Sequence, residues 1–542
     1  MTAYATARRG FFQTLARALG FAVTIRDGAA QDNSSVAHRS TYDVTEFGAR
    51  GDGKTLDSAA INGAIAAAAE NGGGTVSFPT GRYLSYSIRL KSNVGLQLEH
   101  GCVLIAADGT GYDAAETNQP WEAYQDYGHN HWQNSLIWGV DLENVSITGP
   151  GVIWGKGLSR GEGPPPQAET PGVGNKSIAL KNCRNVILRD FAILHGGHFG
   201  ILATGVDNFT LDNLRIDTNR DGIDIDCCRN VRVSNCSINS PWDDAIVLKS
   251  SYALGFPRFT ELVTISNCAV MGGYQEGTLL DGTFRRFDPY KKPLPYEEEW
   301  RTGRIKFGTE SNGGFKNITI SNCVFDSCHG LALESVDGGV VEDVTISNLT
   351  MQDVYEAPIF IRLGARMRGP KRVPVGRIRR VLIGNVVCSN ATSPICSIVS
   401  GIPGHEIEDV GLSNIMIQHA GGGSSQQASI RVPEKEAEYP DPDMFGPMPA
   451  HGFFIRHVRG IEMDRIKILP DKPDERPAVI LDDVTNAHFA RLQLPATRST
   501  ADVLLRRVEH FRMLDSDPLA DIQLEHVGYK ELSATRKLQR LK

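Results

Sequence analysis

The sequence predicts an all-β fold, a single-stranded parallel β-helix with a short N-terminal capping helix and long loop insertions. Three observations carry this. A phrase of the form apolar-x-apolar-Ser/Asp-Asn-Cys/apolar recurs as VILRDF (186–191), FTLDNL (209–214), VRVSNC (231–236), VTISNC (263–268), ITISNC (318–323), VTISNL (344–349), VLIGNV (381–386) and VGLSNI (410–415), with degenerate copies at 145–150 and 461–466. Its shortest steps are 22, 23 and 26 residues, which suits one coil of strands, and the longer steps are the same coil carrying insertions. A second alternating set runs in phase with it: GILATG (200–205), GIDID (222–226), AIVLK (245–249), RIKFGTE (304–310), GLALES (330–335) and IFIRLG (359–364). The length of 542 residues does not require several domains, because a solenoid grows along its axis.

Residues 1–31 carry Arg8–Arg9, then Phe11–Phe12 and a modest apolar run interrupted by Arg17. They resemble a twin-arginine export signal with small-residue cleavage near Gly28–Ala30, which implies a periplasmic or secreted protein. Residues 32–41 read as a linker, 42–510 as the helix and 511–542 as a C-terminal strand or cap with a tail. Beyond the N-terminus no stretch reaches the roughly 18 apolar residues of a membrane span. The net charge of −7 argues against a nucleic-acid partner, since phosphate binding needs a basic field. A monomer is expected.

Segment 58–70, SAAINGAIAAAAE, joins strong helix formers to an apolar stripe. Asp57 and Ser58 offer N-cap groups, and Asn71–Gly74 ends the run. A helix here would cover the open end of the coil stack.

Cys183, Cys236, Cys268 and Cys323 share a repeat slot that Leu214, Leu349, Val386 and Ile415 fill elsewhere. Such a slot is apolar and interior, so these cysteines read as small hydrophobes. The adjoining Asn213, Asn235, Asn267, Asn322, Asn348, Asn385 and Asn414 should form a ladder of side-chain amides. Neither series is a ligand set, and no metal or other cofactor is expected.

The chemistry concentrates between Asn219 and Lys249. Asp221 and the pair Asp243–Asp244 each lead into a strand, and 22 residues separate the first two. One coil therefore brings them to the same corner, about 4.8 Å apart along the axis. Glycosidic cleavage needs one carboxyl group to protonate the leaving oxygen and another to activate water or attack the anomeric carbon. Crowded carboxylates push their proton affinities apart, so acid and base coexist near neutral pH. Turn capping accounts for one Asp, less well for a stacked set.

The lead-in segment FGARGDGKTLDSAAI (47–61) resembles the FGAxGDGxTxDxxAI phrase of the pectate-lyase-like superfamily. NRDGIDID and WDDAIVLKS resemble the NTDGxD and GDDxxxxKS signatures of the polygalacturonases, glycoside hydrolase family 28. The likeness covers roughly residues 42–500 and implies a right-handed helix acting on plant cell-wall pectic poly- or oligosaccharide. It also implies inverting hydrolysis, with Asp243 as general acid and Asp221 and Asp244 holding and deprotonating water. Asn219, Arg220 and Lys249 fall on the family's substrate corner; Arg220 stands where the family has Thr, a change that would favour the ionised form of Asp221.

Two departures bear on the substrate. Thr302 and Gly303 stand where the family's G-H-G His belongs. Ala332 and Glu334 replace the family's R-I-K Arg and Lys; the same letters at Arg304–Lys306 fall one coil early and read as coincidence. Without those cations an unsubstituted galacturonate is poorly held, so a rhamnogalacturonan-type or decorated substrate fits better than plain polygalacturonate.

The second strand set alternates Asp224, Lys249, Lys306, Glu310, Glu334 and Arg362 outward, which reads as a polar sugar groove. His195, His198 and His329 lie near its active corner, and Arg366 and Arg368 add cations. Insertion 271–301 offers Tyr274, Phe284, Phe287, Tyr290, Tyr296 and Trp300 for stacking and Arg285, Arg286, Lys291 and Lys292 for carboxylates. With insertion 421–452, it would wall the groove and make attack exo-type. Two rival readings remain: a polysaccharide lyase on the same fold, which needs a calcium cage and a basic proton abstractor, and a non-catalytic carbohydrate-binding helix.

Overall fold

A computed structural model describes residues 40–126, 128–160, 170–286, 301–495 and 501–533, and in it each copy of the repeated phrase lies beside the next in register. Val145 pairs with Val186, and the column continues through Phe209, Val231, Val263, Ile318, Val344, Val381, Val410 and Ile461, every pairing parallel. The chain is a right-handed parallel β-helix. Every member of that column is at least 98% buried. At roughly 1.5–3 kcal/mol per buried side chain, the core is an apolar line running the length of the stack.

The cysteine slot is interior as the sequence implies: Cys323, Leu349, Val386 and Ile415 pair in turn, and all ten cysteines are buried free thiols. The amide ladder forms from Asn235 to Asn414, each side chain donating to the one before at 2.8–3.4 Å. Its first link differs from expectation. Asn213 donates to Asp190 and Asn235 to Asp212, because a carboxylate on the neighbouring coil is the stronger acceptor. Every ladder residue has φ between 53° and 58°, a left-handed turn that Asn tolerates. A second ladder, Asn93–Asn144–Asn185–Asn208–Asn230, runs at another corner.

Helix Ser58–Glu70 forms, and Ile61, Ala64, Ile65 and Ala68 complete the core at the N-terminal end. The caps are engaged differently from the sequence expectation. The Asp57 carboxylate accepts from the Arg50 and Gly51 amides, and Ser58 Oγ from the Tyr86 amide, so both pin neighbouring loops instead of the helix end. At the other end, Val503–Leu514 straddles residue 510, and Ile522–Leu532 pairs with it antiparallel, closing the parallel run. The twin-arginine-like segment 1–31 and most of the linker lie outside the described residues.

The second strand set stacks as well. Ile225, Leu248, Phe307, Leu333, Ile361, Val399, Ile455 and Leu481 form its inward column. The outward side of this sheet carries the candidate site.

Candidate active site

Asp221 opens the strand Asp221–Asp226, and Asp243–Asp244 precede the next coil's Ile246–Ser250, where Ile223 pairs with Ile246. One oxygen from each of the three carboxylates lies within 4.8 Å of the others. Backbone bonds fix the corner: the Gly222 amide donates to the Asp244 carbonyl at 3.0 Å and the Gly303 amide to the Asp243 carbonyl at 2.9 Å. Gly222 is required, since a Cβ there would stand 2.4 Å from the Ala245 carbonyl oxygen.

Asp221 and Asp244 are buried, whereas the Asp243 side chain keeps 26% exposure. Burial, then repulsion from Asp224 and Asp243, pushes the Asp221 carboxyl well above the usual carboxylate range. Its Oδ1 is buried without a hydrogen-bond partner. Arg220 does not serve Asp221 as the sequence suggests; its Nη2 donates to Asp243 Oδ2 at 2.8 Å. The guanidinium reaches across to the next coil.

An ionic layer flanks the triad on each side. On one, Lys249 Nζ lies 3.3 Å from Asp224 and 3.7 Å from Glu310. His129, arriving from the 107–135 loop, lies 3.3 Å from Asp224 and 3.2 Å from Glu310 and touches Lys249. Burial opposes the Lys249 charge, but Asp224, Glu310 and Asp221 outweigh it and raise its pKa. On the other side, Arg304 donates to Asp244 (2.9 Å), Glu356 (2.9 Å) and Asp441 (3.2 Å). Lys306 Nζ lies 3.5 Å from Asp244, 3.6 Å from Glu334 and 3.3 Å from the Tyr439 hydroxyl. Burial pushes Glu334 up to about 8, against the pull of Lys306 and Arg304.

The family profile described as "Rhamnogalacturonase A/epimerase, pectate lyase-like" matches residues 41–246. A probable polygalacturonase of Vitis vinifera is 24% identical over 402 residues, 70% of this chain and 74% of that one. Among solved structures, the family 28 exopolygalacturonase of Yersinia enterocolitica superposes with a TM-score of 0.60 at 20% identity, covering 83% of this chain and 78% of the other. The hyperthermoactive exopolygalacturonase of Thermotoga maritima gives 0.57 at 19%, covering 79% and 91%. The chain is similar in sequence to the polygalacturonases and shares the fold of the family 28 exopolygalacturonases.

The cations beside the triad are committed to protein carboxylates. Arg304 and Lys306 both contact Asp244, but they are buried among four carboxylates and are not open groove cations. Lys306 sits in register with Ala332, so the next coil has an apolar side chain in that place. At Gly303 an added Cβ would lie 2.2 Å from the Met271 carbonyl oxygen, which excludes the family's His from this position.

The polar face expected as an open groove is largely covered: Asp224, Lys249, Lys306, Glu310, Glu334 and Arg362 point outward from the sheet but are all buried. Strand alternation gives the direction of a side chain, and insertions determine what lies above it. Arg362 is a clamp, not a sugar contact; it donates to the Ser400 hydroxyl and to the Gly401, Glu434 and Lys435 carbonyls. Arg366 and Arg368 tie Asp337 and the loop around Asp126. Glu310 is occupied by His129, Lys249 and the Asp126 amide. His198 is buried against Phe199, its Nδ1 by the Arg160 carbonyl, and burial holds its pKa well below the ordinary value. His195 packs under Trp154 Nε1. Asn219 is half-buried, its carbonyl accepting from the Trp242 amide, and His329 keeps partial exposure 3.2 Å from Glu356.

Insertion 421–452 folds over this face, delivering Tyr439 to Lys306 and Asp441 to Arg304. In insertion 271–301, Tyr274 and Phe284 pack edge to face at 4.7 Å, and the Tyr274 hydroxyl donates to Asp326, tying the loop to the strand Phe315–Asp326. Phe287, Tyr290, Lys291, Lys292, Tyr296 and Trp300 lie outside the described residues. Among the described residues, three sets could offer metal ligands by geometry: Asp221–Asp243–Asp244, His129–Asp221–Asp224 and His329–Glu356–Asp441. In each a protein cation already balances charge, from Arg220, Lys249 and Arg304 respectively.

His129, Glu356, Tyr439 and Asp441 escape the sequence reading. All four come from between strands, where no repeat marks them.

Proposed function

We propose that the protein hydrolyses glycosidic bonds of pectic poly- or oligosaccharides. The three-carboxylate corner carries this reading: acids on successive coils with oxygens within 4.8 Å, one partly exposed and two buried behind it. In the proposed mechanism Asp243 protonates the leaving oxygen while Asp221 and Asp244 hold and deprotonate the attacking water. The bare Asp221 Oδ1 supports a water or sugar hydroxyl as its partner.

Inversion rests on the family likeness. The carboxylate oxygens lie closer than the roughly 6.5–9.5 Å usual for an inverting pair. NMR of the first-formed anomer decides it: an inverted product supports single displacement, and retention overturns it.

The substrate is a neutral or decorated pectic sugar, of rhamnogalacturonan type. Arg304 and Lys306 are engaged by Asp244, Glu356, Asp441 and Glu334, which leaves little positive charge for a uronate beside the scissile bond. The wall built by Tyr439 and Asp441 supports exo-type attack. Reducing-end release from rhamnogalacturonan fragments, lost in Asp243→Asn, is the expected outcome; comparable turnover of polygalacturonate overturns the substrate assignment. Unsaturated, ultraviolet-absorbing products would establish a lyase instead, and binding without turnover a non-catalytic helix.

A further inference from the structure

Beyond the 421–452 wall, on the same sheet face, a cleft of about 670 Å³ opens beside residues Ser425–Glu434. Its floor continues one outward row: Glu334 pairs with Arg362, then Ser400, Arg456, Asp482, Arg506 and Tyr529. Arg456 lies five strands beyond Ile246–Ser250, about 24 Å along the axis at about 4.8 Å per strand.

Four arginines and three carboxylates line this cleft, in a chain whose net charge is −7. The carboxylates are engaged locally. Glu434 lies 3.2 Å from Arg456 and Asp482 2.6 Å from Arg507, while Glu531 accepts from the Tyr529 hydroxyl. Arg431 and Arg506 therefore have no carboxylate within ion-pair distance among the described residues. Arg456 is 2% exposed; its terminal nitrogens donate to the Val432 and Pro433 carbonyls, and its Nε has no hydrogen-bond partner. A desolvated guanidinium with an unanswered N–H on the wall of an open cleft is a site short of an acceptor.

We propose that this cleft is a second carbohydrate site, which binds a carboxylate-bearing stretch of polysaccharide independently of the acid triad. Two uncompensated guanidinium forks match carboxylates in shape and charge. Tyr529, 62% exposed at the rim, supplies a ring face for a sugar. Insertion 421–452 stands between the sites, with Tyr439 and Asp441 toward the triad and Arg431 toward the cleft. The proposed function contributes only the choice of ligand, a pectic glycan; the arginines select its carboxylate-bearing residues.

The test titrates the full chain, inactivated by Asp243→Asn, with an α-1,4-linked galacturonate trimer and with its methyl ester, by calorimetry at low salt. The expected result is binding of the acid that weakens at least tenfold in Arg431→Gln/Arg506→Gln and is absent for the ester. The same two substitutions in the active protein leave kcat/KM on a short substrate unchanged, because neither side chain approaches the triad. Equal binding of acid and ester, an affinity unaffected by the double substitution, or no binding at all overturns the site. None of these results depends on whether hydrolysis occurs, so the cleft and the proposed activity fail separately.

Discussion

Arg220 donates to Asp243 at 2.8 Å, across one coil, and not to Asp221, the acid next to it in sequence. One cation thus borders the partly exposed acid, while burial and like charge raise the proton affinity of the inner one. Removing a positive charge raises the proton affinity of nearby carboxyls. Arg220→Thr should therefore move the alkaline limb of kcat/KM upward, by about one pH unit. A limb that stays put or moves down shows that Arg220 does not set the cluster's ionisation.

Asp243→Asn should lower kcat by about 10²–10⁴-fold with little change in melting temperature, since the side chain is partly exposed and its loss leaves no buried cation bare. Asp244→Asn should lower activity and also cost about 2 kcal/mol, because Arg304 and Lys306 both lose a carboxylate inside the fold. Denaturation curves beside kinetics separate the two; equal stability losses contradict the burial difference.

Glu334 gives a stability signature in pH. Its carboxyl is raised from 4.5 to about 8 in the folded protein. Below about pH 4.5 both states hold the proton; between 4.5 and 8 only the folded state does, so stability falls as pH rises and the penalty is complete above about 8. Glu334→Gln should flatten that decline. Melting temperatures from pH 5 to 9 that run parallel in parent and variant rule this out.

Asn348 accepts an amide bond from Asn385 and donates one to Asn322, at φ 58°. Asn348→Gly loses the bonds but keeps the conformation, whereas Asn348→Ala loses the bonds and is strained. Alanine should be the worse of the two by about 1 kcal/mol. Urea melts that rank them the other way remove the conformational part of the argument.

The triad was legible because coil length is written in the repeat: Asp221 and Asp243 lie one period apart, and a fixed period fixes the neighbours. Cys323 and Leu349 announced the interior slot for the same reason. The partners of those acids were not legible. His129 and Asp441 arrive from insertions 107–135 and 421–452, whose paths no periodicity governs. Arg362 shows the complementary failure: alternation correctly points it outward, yet a covering loop turns an apparent sugar contact into a clamp on the Glu434 and Lys435 carbonyls. Arg304 and Lys306 carry the R-I-K letters one coil early, and the letters alone do not say that both side chains reach Asp244. The Asn93–Asn230 ladder lacks the flanking phrase that marks the Asn in the series from Asn235 to Asn414.

The amide rungs have a consequence for how such a protein changes over generations. Each rung recognises only the one before it, so a complete turn inserted above or below finds the same handholds and disturbs nothing already stacked. The stack can lengthen by a turn, or its lids be exchanged, while the three acids keep their places.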